Sequence, residues 1–329
     1  MDENNGYFRI ATTSGNSWDS SHPLANNLYV LDSNLKETGK IEGIAAGEKI
    51  YSTRFVGNRA YMVTFKSIDP LFVIDTTDPS APKLAGELKI PGYSTYLHPY
   101  DENHLIGFGN EVDESIDANK VHSSDAVYYT AVQGMKLGLF DVTDLNHPTE
   151  MFKEVIGDRG TTSDLLSNHK ALLFDKSKNL LAFPIMVTEL PKDTCSSNTY
   201  STCPSTCQKV CVPTNCMLTN GIQVCTTDCD GQNSCTSPTY VEPKPVFAGA
   251  YVYNIDLAHG FTLKGKITHF SADDIANASA GNYGSIDYNK MIQRIIYIGE
   301  NLYTISQAII KANLMSDLTE KKSISLAGD

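Results

Sequence analysis

Four times along this chain an apolar strand ends in Asp or Asn, turns, often through Pro, and gives way to a second strand that closes on an aliphatic residue. The copies are residues 28–41 (LYVLDSNLKETGKI), 71–90 (LFVIDTTDPSAPKLAGELKI), 137–156 (LGLFDVTDLNHPTEMFKEVI) and 251–267 (YVYNIDLAHGFTLKGKI). Further apolar hairpins accompany them at 54–65 (RFVGNRAYMVTF), 96–109 (YLHPYDENHLIGFG), 171–185 (ALLFDKSKNLLAFPI) and 295–306 (IIYIGENLYTIS). Self-similarity with four short strands per unit predicts an all-β fold, a β-propeller of about five four-stranded blades across residues 1–329. Asp32 and Asp75 hold the same place in consecutive units, 43 residues apart, and the turn residues Asn58 and Asn103 are 45 apart. Strands such as Phe72-Val73-Ile74 are apolar on both faces, as stacked blades require.

Later intervals stretch because loops are inserted. Residues 111–133 form a polar insertion, and residues 190–245 form a second that carries every cysteine. Loop closure grows costly only slowly with length, so both are tolerated, and long connections are where binding tends to reside. Helix is expected only as short turns at 271–278 and 308–318. The first unit starts at its second strand, residues 7–13, with only Met1 to Gly6 ahead of it. Residues 323–326 are expected to complete that sheet, unless the chain is the C-terminal part of a longer propeller. A closed ring is favoured, since open blade faces would leave apolar patches in water.

Several stretches together, residues 2–13 (DENNGYFRIATT), 47–65 (GEKIYSTRFVGNRAYMVTF), 69–109, 139–144 (LFDVTD) and 157–175 (GDRGTTSDLLSNHKALLFD), resemble the secreted C-terminal β-propeller family of bacteria and archaea. That family is distantly related to WD-repeat proteins. The resemblance spans nearly the whole chain except the cysteine-rich insertion. It implies a secreted propeller of unassigned activity, with more blades and a signal peptide ahead of the DENNGYFR segment in family members.

Composition agrees with an extracellular globular protein. A net charge of −12 and a pI near 5.1 argue against nucleic acid and anionic membranes as partners. No stretch approaches the ~20 apolar residues of a transmembrane helix. Met1-Asp2-Glu3 is unlike a signal peptide, so export is inferred from the cysteines. Cys195, Cys203, Cys207, Cys211, Cys216, Cys225, Cys229 and Cys235 crowd a Ser/Thr/Asn-rich segment with little to pack, where crosslinks substitute for a core. Disulfides are the expected state, in any of about 105 pairings. Zinc is the rival reading, because Cys203-x3-Cys207-x3-Cys211 and Cys225-x3-Cys229 have ligand-like spacing, although the insertion has no His.

The first strands of the blades should line the central channel, and they are expected to carry Glu48, Arg54, His98, His169 and Asp287. A Glu, two His and an Asp converging there could hold a divalent metal, with His98, His169 and Asp287 as ligands, or act as acid and base. The alternative is structural: Arg54 pairing with a carboxylate and the histidines bonding backbone carbonyls. His22, His104, His122, His147, His259 and His269 read as solvated. The turns Asp75-Thr76-Thr77-Asp78 and Asp141-Val142-Thr143-Asp144, with Asp228 and Asp230 in the insertion, raise structural Ca2+, although Asp in such turns commonly caps its own backbone. Asn277-Ala278-Ser279 is a glycosylation sequon expected in a surface loop. No nucleophile elbow, phosphate-binding loop or dinucleotide fingerprint is present. The functional expectation is a binding or scaffolding module that engages a protein or glycan at the cell surface through the two insertions. The alternative is a metal-dependent hydrolase or lyase working through Glu48, His98 and His169.

Overall fold

A computed structural model of the chain describes residues 1–16, 21–65, 69–113, 132–190, 213–219, 222–227, 243–281 and 286–326. Five antiparallel sheets of four strands follow one another along the chain. The first holds β1 (Asp2–Asn4), β2 (Tyr7–Ser14), β3 (Ala25–Leu31) and β4 (Glu37–Ile44). The second holds β5 (Lys49–Val56), β6 (Arg59–Phe65), β7 (Asp69–Asp75) and β8 (Lys83–Ile90). The third holds β9 (Tyr93–Pro99), β10 (His104–Val112), β11 (Val132–Asp141) and β12 (Thr149–Ile156). The fourth begins with β13 (Leu173–Asp175) and β14 (Leu180–Glu189). A separate hairpin, β15 (Pro213–Thr219) and β16 (Ile222–Thr227), then intervenes within the cysteine-rich insertion before β17 (Lys244–Asp256) and β18 (Gly260–Ile267) finish the sheet. The fifth holds β19 (Arg294–Ile298), β20 (Asn301–Ile305), β21 (Ile309–Leu314) and β22 (Glu320–Ser325).

Period-two alternation explains how the sheets stack. On β6, Ala60 and Met62 pack with Leu28 and Val30 of the first sheet. Their neighbours Tyr61 and Val63 point the other way, onto Leu97 and Leu105 of the third. Leu137 and Phe108 meet Phe183 and Tyr253 across the next seam, and Ala182 and Val252 meet Ile295 and Leu302 across the last. Four apolar clusters thus weld consecutive sheets, and among the described residues no such cluster joins the fifth sheet to the first. Ile296 and Ile298 on β19 and Ile324 on β22 are 43, 62 and 50% exposed.

The same hydrogen bond closes four units. A backbone N–H at or just past the end of the third strand donates to the carbonyl of the turn between the first two, as in Thr76 to Asn58, Val142 to Asn103, Ile255 to Asn179 and Met315 to Glu300, at 2.8–2.9 Å. Two glycines let neighbouring units interlock at the rim. A Cβ on Gly39 of β4 would lie 2.4 Å from the carbonyl oxygen of Pro79 in the next unit's turn, and one on Gly86 of β8 would lie 2.3 Å from that of Leu145. Any other residue would push the turn out.

Three expectations are corrected. The first sheet does have an inner strand, because Asn5 and Gly6 at φ 53° and 81° make a tight turn that folds β1 onto β2. Residues 323–326 do not complete that sheet, since β22 pairs with β21 as the outer strand of the fifth. Residues 308–318 are not helical, because Ile309 and Ile310, stiff at χ1, extend into β21 between two partners. The other helix forms as α1 (Ala272–Ser279), where the Ser271 hydroxyl accepts from the Asp274 amide and the Asp274 carboxylate accepts from the Ser271 amide. Asn277 is exposed on this helix rather than in a loop, and the Ser279 hydroxyl donates to the Pro245 carbonyl.

Candidate functional site

Antiparallel pairing dictates where each connection emerges. The links from first to second and from third to fourth strands leave one end of the sheets. The links from second to third strands, and the crossings to the next sheet, leave the other. Both insertions are second-to-third links, one between β10 and β11 and the other between β14 and β17, in adjacent sheets. Both therefore leave their sheets at the same end; residues 114–131, 191–212 and 228–242 of these insertions lie outside the described residues. The root of the first is tied down by charge: Lys136, 4% exposed on β11, lies 3.0 Å from Glu150 and 3.9 Å from Glu111, while Lys153 reaches Glu111 at 3.0 Å.

The opposite end is built from Asp-capped turns. Asp75, Asp78, Asp141 and Asp144 each accept a backbone N–H two residues on, from Thr77, Ser80, Thr143 and Asn146. His104, His147 and His259 bond Asp101, Asp144 and Asp256 three residues back, at 2.7, 2.8 and 3.1 Å. These carboxylates are thus engaged in shaping turns. Asp228 and Asp230 lie outside the described residues.

In the interior, neighbouring inner strands β5 and β9 bring Arg54 toward Tyr96 and His98. A 3-10 turn, residues 169–171, adds His169, its start capped by the Asn168 side chain accepting from the Lys170 amide. Tyr96 is the hub. Its hydroxyl lies 2.7 Å from His98 Nδ1, and its ring stacks on that of His169 at 4.0 Å between centroids. The other side of His98 meets the edge of Phe174 at 5.1 Å. Burial, then the Arg54 charge and then His169 push His98 down to about 4, and burial followed by Arg54 lowers His169. Both rings are therefore neutral bases near pH 7.

The expected Glu-His-His constellation does not assemble. Glu48 precedes β5, and its carboxylate accepts from the Thr64 hydroxyl while its carbonyl accepts from Asn26. Asp287 caps another 3-10 turn by accepting from the Asn289 amide at 3.0 Å. Among the described residues no three His, Cys, Asp or Glu side chains form a group able to hold a metal. The structural alternative is corrected as well: among the described residues Arg54 has no carboxylate partner, and His98 meets a tyrosine hydroxyl rather than a backbone carbonyl. The reason is local, since the short β13 lets the 3-10 turn stand where a longer first strand would have carried His169.

Two residues escaped sequence reasoning. Tyr96 is two positions from His98 on one strand, so period-two alternation could have paired them. His269, expected to be solvated, is a correction. It is buried, 5% exposed, with Nδ1 3.0 Å from Ser306 Oγ and Nε2 2.9 Å from Thr304 Oγ1, and burial, then the Lys311 charge, holds it down to about 4.

Sequential four-stranded sheets, stacked face to face and approaching one another through their inner strands, define a β-propeller. The chain belongs to the Beta propeller domain family, whose model matches residues 1–318. Uncharacterized proteins of Methanocaldococcus jannaschii and Archaeoglobus fulgidus are each 41% identical over 184 residues, or 56% of this chain. The chain matches about a quarter of the length of these relatives, 26% and 25%. Among solved structures, an apocarotenoid oxygenase of Synechocystis aligns over 97% of this chain and 58% of its own, at 7% identity and a TM-score of 0.35. The Swd1 β-propeller domain of Myceliophteria thermophila aligns over 100% and 89%, at 11% identity and a TM-score of 0.29. No helix among the described residues is long and apolar enough to cross a membrane.

Proposed function

We propose that this propeller is an extracellular binding or scaffolding module that recognises a protein or glycan at the cell surface through the end bearing residues 111–133 and 190–245. The observation that carries this reading is that both insertions are second-to-third connections of adjacent blades and so leave the sheets at the same end. The five four-stranded sheets are built without residues 115–130 and 194–238, so each of these segments is removable. Replacing residues 115–130, or 194–238, by a short Gly/Ser linker is expected to leave the far-ultraviolet circular dichroism of the sheets intact. Binding to a glycan array or to intact envelope preparations should be lost in at least one variant. Undiminished binding by the doubly shortened chain would overturn the reading.

For the cysteines we propose a disulfide scaffold that includes one bridge across the β15–β16 hairpin. Cys216 of β15 and Cys225 of β16 are Cα partners across the hairpin. Directly opposed residues of an antiparallel pair lie about 4.5–5.5 Å apart at Cα, within the span a disulfide bridges. The other six cysteines fall outside the described residues. Peptide mapping without reductant should recover Cys216 linked to Cys225. Finding either as a free thiol, or bridged elsewhere, would refute that pairing.

A further inference from the structure

Arg54 is the feature of the channel that neither the fold nor the recognition surface uses. Two other arginines of the first two sheets are fully engaged. Arg9 holds Asp2, the Gly57 carbonyl and the Thr76 hydroxyl, and Arg59 bonds the carbonyls of Glu102 and Val142 and the side chain of Asn103. Arg54, by contrast, makes no hydrogen bond and no ion pair among the described residues, and its Nε is buried without a partner. A buried Nε–H with no acceptor carries a standing cost that a negative oxygen would relieve, and the rest of the half-buried guanidinium is within reach of solvent.

Its surroundings are arranged for that occupant. The aromatic groups on which its charge acts are Tyr96, His98 and His169, and no carboxylate contributes beside it at either histidine or at Tyr96. Both imidazoles are neutral, so they neither compete as cations nor repel Arg54. Tyr96 and His98 are already joined at 2.7 Å, and when the tyrosine hydroxyl donates to Nδ1 the N–H of His98 stands at Nε2, free to donate. His169 is exposed on the stacked face of Tyr96, so the cluster has an open side. A planar fork of N–H donors matches the two oxygens of a carboxylate or phosphate.

We propose that Arg54, with Tyr96, His98 and His169, forms a binding site for one oxyanion in the propeller channel. The shared chemistry is a pair of negatively charged oxygens, supplied either by the carboxylate of an organic acid or by a phosphate group. The site is independent of the insertions, so the doubly shortened chain should retain it even if the recognition surface proposed above fails.

The test is calorimetric titration of the full chain at pH 7.5 and constant ionic strength with inorganic phosphate, acetate and glucuronate in turn, against chloride. One saturable site per chain is expected for phosphate or for the carboxylates, and the preferred series identifies the source. Arg54→Gln should weaken that binding at least about tenfold, the loss of a charge-assisted pair. Should Arg54→Gln fold poorly, His169→Asp serves instead: it changes an exposed position, places a carboxylate beside Arg54, and is expected to abolish anion binding while raising the melting temperature. No saturable binding of any of the three anions, or wild-type affinity in either variant, would overturn the proposal.

Discussion

Acidification from pH 7 to pH 4 is expected to remove several kcal/mol of folding stability, most of it through two histidines. His98 and His269 are each held down to about 4 in the folded protein, by burial first, with the charge of Arg54 or of Lys311 adding to it. In the unfolded chain they titrate near ~6.5. Above that value both states are neutral and nothing is linked to pH. Between about 6.5 and 4 the unfolded state binds protons that the folded state refuses, so stability falls with falling pH, by up to about 3 kcal/mol per histidine. Glu154, raised by burial beside Tyr253, acts in the opposite sense, because its stabilising effect is present when it is protonated. Asp101 is resisted by burial but held to about 2 by Lys176, His104 and the Asn103 amide, and it adds a further loss only below its unfolded value of about 3.9. Denaturant melts at pH 7, 5.5 and 4 measure the effect. His269→Gln offers Ser306 and Thr304 a polar side chain that cannot be protonated, and it should flatten the slope by roughly half, one histidine's share. A wild-type midpoint that stays constant from pH 6.5 to 4 would contradict the prediction.

Arg9→Ala is expected to be comparably damaging. Arg9 is 2% exposed and grips Asp2 with two prongs, Nε to Oδ1 at 2.9 Å and Nη2 to Oδ2 at 2.6 Å. Its Nη1 reaches across the seam to the Gly57 carbonyl at 2.7 Å and the Thr76 hydroxyl at 2.8 Å, and the guanidinium sits over the Phe55 ring at 5.1 Å. One side chain thereby pins β1 to its own sheet and the first sheet to the second. Removing it strands Asp2 and the carbonyl, for a loss of about 3–5 kcal/mol. In a chain of 329 residues that lowers the melting temperature by roughly 4–7 °C. Arg9→Lys retains charge without the fork and should recover little. Asp2→Asn should cost less, because Asp2 is 30% exposed. A change within about 0.5 kcal/mol for Arg9→Ala, typical of an unremarkable surface site, would show that this junction does not hold the seam.

Most of the architecture is written in local pattern. The repeated strand-Asp-turn-strand phrase, the alternation of Ala60-Tyr61-Met62-Val63 and the Asn-Gly turn at 5–6 each specify strands, their two buried faces and their hairpins through interactions between near neighbours. The Asp caps follow the same logic, since each carboxylate serves an amide two residues on. The Asn5-Gly6 pair is the local signal for β1, since its positive φ angles fold that strand onto β2. Residues 308–318 went astray because Ala308, Lys311 and Leu314 fit a helix as well as a strand, and only pairing with β20 and β22 settles the choice.

The channel cluster and the seams belong to a different order of information. Arg54, Tyr96 and His169 come from three separate elements, and the distance between them depends on how two sheets and a 3-10 turn meet. Burial of His269 between Thr304 and Ser306, and the grip of Arg9 on Thr76, likewise join residues 35 to 67 positions apart. Local propensity acts over a few residues, so it could name the strands and turns of this propeller. Charge, burial and hydrogen-bond satisfaction act through space, so which histidine is neutral, which arginine is paired and which is left open were decided only when the sheets packed.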